Sequence, residues 1–284
     1  LKVATTNSSS PPSILSNQRN RIIVVTGKGG VGKTTLSMAI AKALESNGRE
    51  VFYNSFDQPL NTELANLIEL PSFSLSIEQS AKEYIAKKLG SETIAGWILK
   101  TPFFSSLFNM LPGLGHMILL GHLIDKLESN PNLTIVLDSP SSGHALTMFE
   151  SPGNFKEMFR TGLIVDDIQR MEKFLYEPGA MEVIVCSLPT KMAIQEAIDL
   201  ETKLKERQVP QTKLVVNDLL SFSKPILEAN EKDLPEFIIK KIAGEKEAQE
   251  SSKQTPYLNI PHFPESKPSQ IISACAQFLK GAAK

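Results

Sequence analysis

Arg21-Ile22-Ile23-Val24-Val25-Thr26-Gly27-Lys28-Gly29-Gly30-Val31-Gly32-Lys33-Thr34-Thr35 is the stretch whose reading decides the fold. Its first five residues form an apolar, β-branched run of strand length. Beyond it, Leu36, Ala39/Ile40 and Ala43/Leu44 repeat at helical spacing. Between strand and helix, Gly27 to Thr34 satisfies the G-x-x-x-x-G-K-[ST] pattern in full. Glycines allow close wrapping, so backbone N–H groups and the helix N-terminus turn toward phosphate oxygens. Lys33 then reaches the β- and γ-phosphates, and the Thr34 hydroxyl completes a Mg²⁺ shell. A glycine turn of purely structural meaning is the alternative, and both correct flanks weigh against it. The stretch reads as a nucleotide site.

With 284 residues, the chain can bury a large core as one α/β domain or two small ones. Its hydrophobic content of 41% is that of an ordinary soluble protein, and no apolar run reaches membrane-spanning length. A net charge of -1 gives no reason to expect nucleic acid as a partner. Cys186 and Cys275 are far apart and form no C-x-x-C, and the four histidines show no paired metal spacing. A reducing cytoplasm is therefore the expected setting. Residues 1–20 carry seven Ser/Thr and no Asp or Glu. They read as a disordered tail or cloning remnant or, alternatively, as the end of a transit segment, which would imply an organelle stroma or matrix. Residues 21–284 are expected to be the folded domain.

Arg49 to Asp57 reads as a second strand ending at an aspartate, at the sheet edge where ligands of open parallel sheets sit. A plain loop or cap aspartate is the competing reading of Asp57. From about 71 to 130 the pattern is helical and apolar, with candidate helices at 77–89, 94–100, 103–111 and 114–127 and a break at Pro112-Gly113. That length exceeds a simple crossover and predicts an inserted helical subdomain. Seven of eight methionines lie between Met110 and Met192, as core filler or as the lining of an adaptable groove. Leu133 to Asp138 is a continuous apolar run closing on a carboxylate, so Asp138 is placed to hold Mg²⁺ through water. Ser139 to His144 follows as a small polar loop able to sense the γ-phosphate, with His144 also readable as a helix-start residue. Further units are a strand at 182–186, a helix at 190–207, a strand at 213–218, a charged helical region at 228–250, a strand at 255–261 and a closing helix at 269–283. The closing helix suits a core better than a membrane surface. Alternating strands and helices predict a mostly parallel sheet covered on both faces.

Lys28, directly after the first glycine, gives the loop the deviant Walker A form. Asp138-Ser139-Pro140-Ser141-Ser142-Gly143-His144-Ala145-Leu146, with Pro152 beyond, resembles the second switch of the ArsA/Get3 ATPases, the arsenite-pump and tail-anchored-protein-targeting family. Ser187-Leu188-Pro189, then Leu214-Val215-Val216-Asn217, and Pro112-Gly113 are similar to that family in order and spacing. The resemblance implies a P-loop fold, ATP and Mg²⁺ as cofactors, and a nucleotide-sandwich homodimer. It implies that the loop from Gly27 through Lys28, Gly29, Gly30, Val31 and Gly32 cradles the nucleotide, while Lys33, Thr34 and Thr35 hold phosphates and metal. Lys28 would reach the partner's nucleotide, Asp57 would orient the attacking water, Asp138 would serve the metal and Asn217 would read the adenine edge. A hydrophobic client segment is an implied partner. Asp57-Gln58-Pro59-Leu60-Asn61 lacks the histidine of the usual D-P-A-H switch, and the acidic residue expected soon after Pro-Gly is replaced around Gly115-His116. No cysteine set for zinc or arsenite is present. Two other functions stand beside this one: a septum-site or partition-type membrane-associating ATPase, and a slow ATP-gated binding module.

Overall fold

Odd and even residues of the central strands face different layers. Ile22, Val24, Ile135, Leu137, Val183 and Val185 belong to one apolar core, whereas Ile23, Val25, Val136, Ile184 and Cys186 belong to another. This two-residue period, with both faces buried, is the signature of a sheet sandwiched between helices. The computed structural model describes residues 20–56, 58–111, 113–139, 146–149, 153, 155, 156, 163–251 and 256–281. The expectations for Asp57, Pro112, Gly143, His144, Pro152 and residues 1–19 fall outside them.

Seven strands form one all-parallel sheet in the order β3-β2-β4-β1-β5-β6-β7. They are β1 (Ile22–Gly27), β2 (Glu50–Asn54), β3 (Ser72–Phe73), β4 (Leu133–Asp138), β5 (Met181–Ser187), β6 (Thr212–Leu219) and β7 (Tyr257–Pro261). The expected α/β architecture is thus borne out. On one face lie α1 (Lys33–Ser46) and the last helix, α11 (Pro268–Gly281), which packs along α1. On the other lie α6 (Leu114–Ser129), α7 (Leu163–Tyr176) and α8 (Lys191–Glu206). Leu119, Leu120, Leu123, Ile124 and Leu127 of α6 are fully buried against the sheet. Before α6 come α2 (Thr62–Leu67), α3 (Ile77–Leu89), α4 (Glu92–Leu99) and α5 (Pro102–Met110). Ser76 and Ser91 cap α3 and α4 by accepting from the N–H groups of Gln79 and Ile94. Between β6 and β7 lie α9 (Lys224–Glu228) and α10 (Glu236–Glu250).

Two expectations need correction. The helical stretch does not start at residue 71, because Ser72–Phe73 first adds an edge strand to β2. β2 stops at Asn54 rather than at Asp57. The Asn54 side chain accepts from the Phe56 N–H at 2.8 Å and donates to the Phe73 carbonyl at 2.7 Å, so it turns the chain out of the sheet. The charged region 228–250 is helical, in pieces: a 3₁₀ turn at Glu231–Asp233 and Pro235, the residue before the first turn of α10, precede the main helix. The closing helix is core, as expected, with Ile272, Cys275, Ala276 and Leu279 buried. Met117, Met148, Met171 and Met181 are buried core filler, while Met110 and Met192 are exposed.

Candidate functional site

Every strand that the site uses delivers its residues at the carboxyl edge of the sheet, where a parallel α/β protein binds ligands. β1 ends in Gly27 with φ 145°, a conformation that side chains rarely adopt. A Cβ there would lie 2.2 Å from the carbonyl oxygen of Cys186 on β5, so only glycine lets the loop leave this close to its neighbour. Gly32 caps α1 with φ 89°, and a Cβ there would meet the Asn217 amide nitrogen at 2.5 Å. Asn217 on β6 donates from Nδ2 to the Val31 carbonyl at 3.0 Å, and the Cys186 thiol points at the same oxygen at 3.4 Å. β5 and β6 thus brace the glycine loop from behind. The structure gives Asn217 this bracing role.

Lys33 opens α1 and curls back over the loop, its Nζ donating to the Lys28 carbonyl at 2.9 Å. Partial burial lowers its pKa, and the nearby Asp138 charge opposes that shift. Thr34 and Thr35 follow in the first turn of α1. The Thr34 hydroxyl donates to Asp138 Oδ2 at 2.6 Å, joining the loop to the end of β4. Tyr53 on β2 donates its hydroxyl to the same oxygen at 3.1 Å. Asp138 is only 3% exposed, and burial raises its pKa against the two hydrogen bonds and the Lys33 charge. Burial beside this carboxylate raises the Tyr53 pKa in turn. A hydroxyl and a carboxylate held together at a helix N-terminus, beside a lysine, are an oxygen donor set for a hard divalent cation next to phosphates.

Lys28 extends outward and pairs with Glu196 of α8 at 2.6 Å, with 62% and 41% of the two side chains exposed. Gly29 and Gly30 lie between it and Val31 at the surface. Cys186 and Cys275 are buried, and burial pushes both thiols up to about 12, which leaves them inert rather than metal-binding. Among the described residues no cluster of His, Cys, Asp and Glu suits a transition metal. No described helix is long and apolar enough to cross a membrane.

The glycine loop, Lys33, Thr34 and Asp138 thus lie together at one end of the sheet. Tyr53 and Glu196 were not legible in the sequence. Tyr53 looks like any aromatic strand residue until β2 and β4 are paired, and Glu196 is one of many helix-surface charges.

A parallel sheet, a glycine loop running into a helix and a strand-end aspartate bonded to the helix's first threonine define a P-loop nucleotide-binding protein. A model of the anion-transporting ATPase family matches residues 20–164, and the chain belongs to that family. Among its relatives, ATPase GET3B of Arabidopsis thaliana is 23% identical over 280 residues, covering 73% of this chain and 66% of that protein. An ATPase ASNA1 homolog of Plasmodium vivax (strain Salvador I) is 29% identical over 150 residues, covering 51% and 40%. A putative arsenical pump-driving ATPase 2 of Aquifex aeolicus (strain VF5) is 26% identical over 204 residues, covering 66% and 63%. The matches take in between 40% and 66% of the length of these relatives. The ArsA/Get3 resemblance is borne out.

Proposed function

We propose that this chain is a Mg²⁺-dependent ATP hydrolase that closes as a nucleotide-sandwich homodimer and passes the change to its helical segment. The observation that carries the reading is the Thr34–Asp138 hydrogen bond at the mouth of the glycine loop. Thr34 and Asp138 would hold the metal, which neutralises phosphate charge when bound. Lys33 and the loop N–H groups would stabilise charge building on the transferred phosphoryl group. Asp57 would align the attacking water, and Asn217 would meet the base. The domain would comprise residues 21–284, with the helical insert running from α3 through α6 and residues 1–20 standing before the domain. Two buried, unbridged cysteines suit a reducing, cytoplasm-like compartment.

In one chain Lys28 is occupied by its own Glu196, yet an exposed ion pair is worth only about 0–1 kcal/mol. A partner's phosphate would displace it easily, so the pair does not bar a reach across a two-fold axis. A hydrophobic client is favoured by the outward apolar residues of consecutive helices: Trp97 (77% exposed), Phe103 (73%) and Met110 (76%). The partition-type alternative is less favoured, because α11, the helix that would serve as its anchor, packs its apolar side on α1. The slow binding module differs only in turnover.

Lys33→Ala should weaken ATP binding at least tenfold, since it removes charge compensation at the phosphates. Asp57→Asn should keep binding and lose turnover by about 10²-fold or more, since it disturbs only the water. Nucleotide titration beside steady-state phosphate release separates the two. Equal loss of affinity in both variants removes Asp57 from the catalytic role. Unchanged hydrolysis in both removes the site.

A further inference from the structure

The nucleotide residues Thr34, Tyr53 and Asp138 gather beside α1. On the opposite face of the sheet, a cleft of about 480 Å³ opens between α3, α6 and the β2–β3 edge. Its volume is in the range of small-molecule sites. Phe52, Phe73, Ile118 and Leu133 supply apolar walls, with the Phe52 and Phe73 rings edge to face at 5.7 Å and 75°. Among the described residues, two polar groups in it stand without a hydrogen-bond or ion-pair partner. Ser80 is 1% exposed, and among the described residues its Oγ has no hydrogen-bond partner. A buried hydroxyl in that condition costs about 1–3 kcal/mol, which a bound acceptor would recover.

Lys126 is the second. Its Nζ sits 5.1 Å from the Phe73 ring centre. Among the described residues the other charged groups around the cleft have hydrogen-bond or ion-pair partners of their own. Asp125 takes Lys87 at 3.0 Å and Arg170 at 2.6 Å, Glu83 faces His122 Nδ1 at 3.3 Å, and the Tyr84 hydroxyl donates to Asp167 at 2.7 Å. Among the described residues the cleft therefore offers an aromatic wall, a cation with no ion-pair partner and a hydroxyl with no hydrogen-bond partner. Its complement is flat, apolar on its faces and negatively charged at one end.

We propose that this cleft binds a small aromatic carboxylate, its ring against Phe52 and Phe73, its anionic end toward Lys126 and an acceptor on it satisfied by the Ser80 hydroxyl. The site is separate from the nucleotide and lies on α6, the helix that continues from the apolar segment α4–α5. Ligand there would stiffen α3 against α6.

The test titrates the full chain by calorimetry with benzoate, 4-hydroxyphenylacetate and indole-3-acetate, and with the neutral indole-3-acetamide, each up to the order of 1 mM. At least one carboxylate should bind, and indole-3-acetamide should be about fivefold weaker than indole-3-acetate, the ratio that one exposed ion pair supports. Lys126→Met, a change at an exposed position, should erase that preference. Ser80→Leu should fill the cleft and abolish binding, and ADP should not compete. The proposal is overturned if no carboxylate binds, if binding survives both substitutions unchanged, or if ADP displaces the ligand.

Discussion

Asp138 is a carboxylate that the fold holds against its own preference. Burial raises its pKa above the ordinary 3.8, so the folded chain binds this proton more tightly than the unfolded chain. Stability is then lost as pH rises from the ordinary carboxylate value through the raised one, and the full penalty stands above it. Asp138→Asn should therefore raise the melting temperature of the nucleotide-free protein at pH 7, by about 2–4 °C for each kcal/mol relieved. The same variant should weaken Mg²⁺-dependent ATP binding, a trade of function against stability. The gain should vanish at a pH below both values. A melting temperature at pH 7 equal to or below that of the parent contradicts this account of the carboxylate. Tyr53→Phe removes one of its two hydroxyl donors and should cost about 1.5–3 kcal/mol in denaturant unfolding. In an Asp138→Asn background that cost should shrink, and a double-mutant cycle showing no coupling would detach Tyr53 from the site.

The elements tell which parts of the sequence speak locally. α3 was legible to the residue, because Ser76 caps it and its apolar period begins at once. Lys33, Thr34 and Asp138 were legible because a phosphate loop and a strand-end carboxylate are local patterns. β3 was not, since two residues carry no period and exist as a strand only through pairing with Tyr53 and Asn54. The end of β2 was hidden for a similar reason, as Asn54 terminates it by bonding across to Phe73. The bracing of Val31 by Asn217 spans 186 positions, which no local pattern can show. α11 makes the element-scale prediction. Its Leu279 lies in the core beneath α1, so Leu279→Ala should cost about 2–5 kcal/mol. Deleting residues 268–284 should lower the melting temperature sharply. A truncated chain that keeps its melting temperature but no longer floats with anionic vesicles would make α11 a membrane anchor instead.

At the scale of the whole molecule, the account turns on one site per chain and one lysine that faces outward. The sheet puts Gly27, Asn54, Asp138, Ser187 and Asn217 at one edge, and Lys28 extends beyond that edge to an exposed partner on α8. If two chains must meet to complete each site, the turnover per chain depends on how many chains are paired. The most direct measurement is therefore specific ATP hydrolysis, with Mg²⁺, across a wide range of protein concentration. The account predicts activity per chain that climbs with concentration to a plateau, and a Lys28→Ala variant that stays low throughout while still binding ATP. Activity per chain that is constant over the whole range, and unaffected by Lys28→Ala, would contradict it.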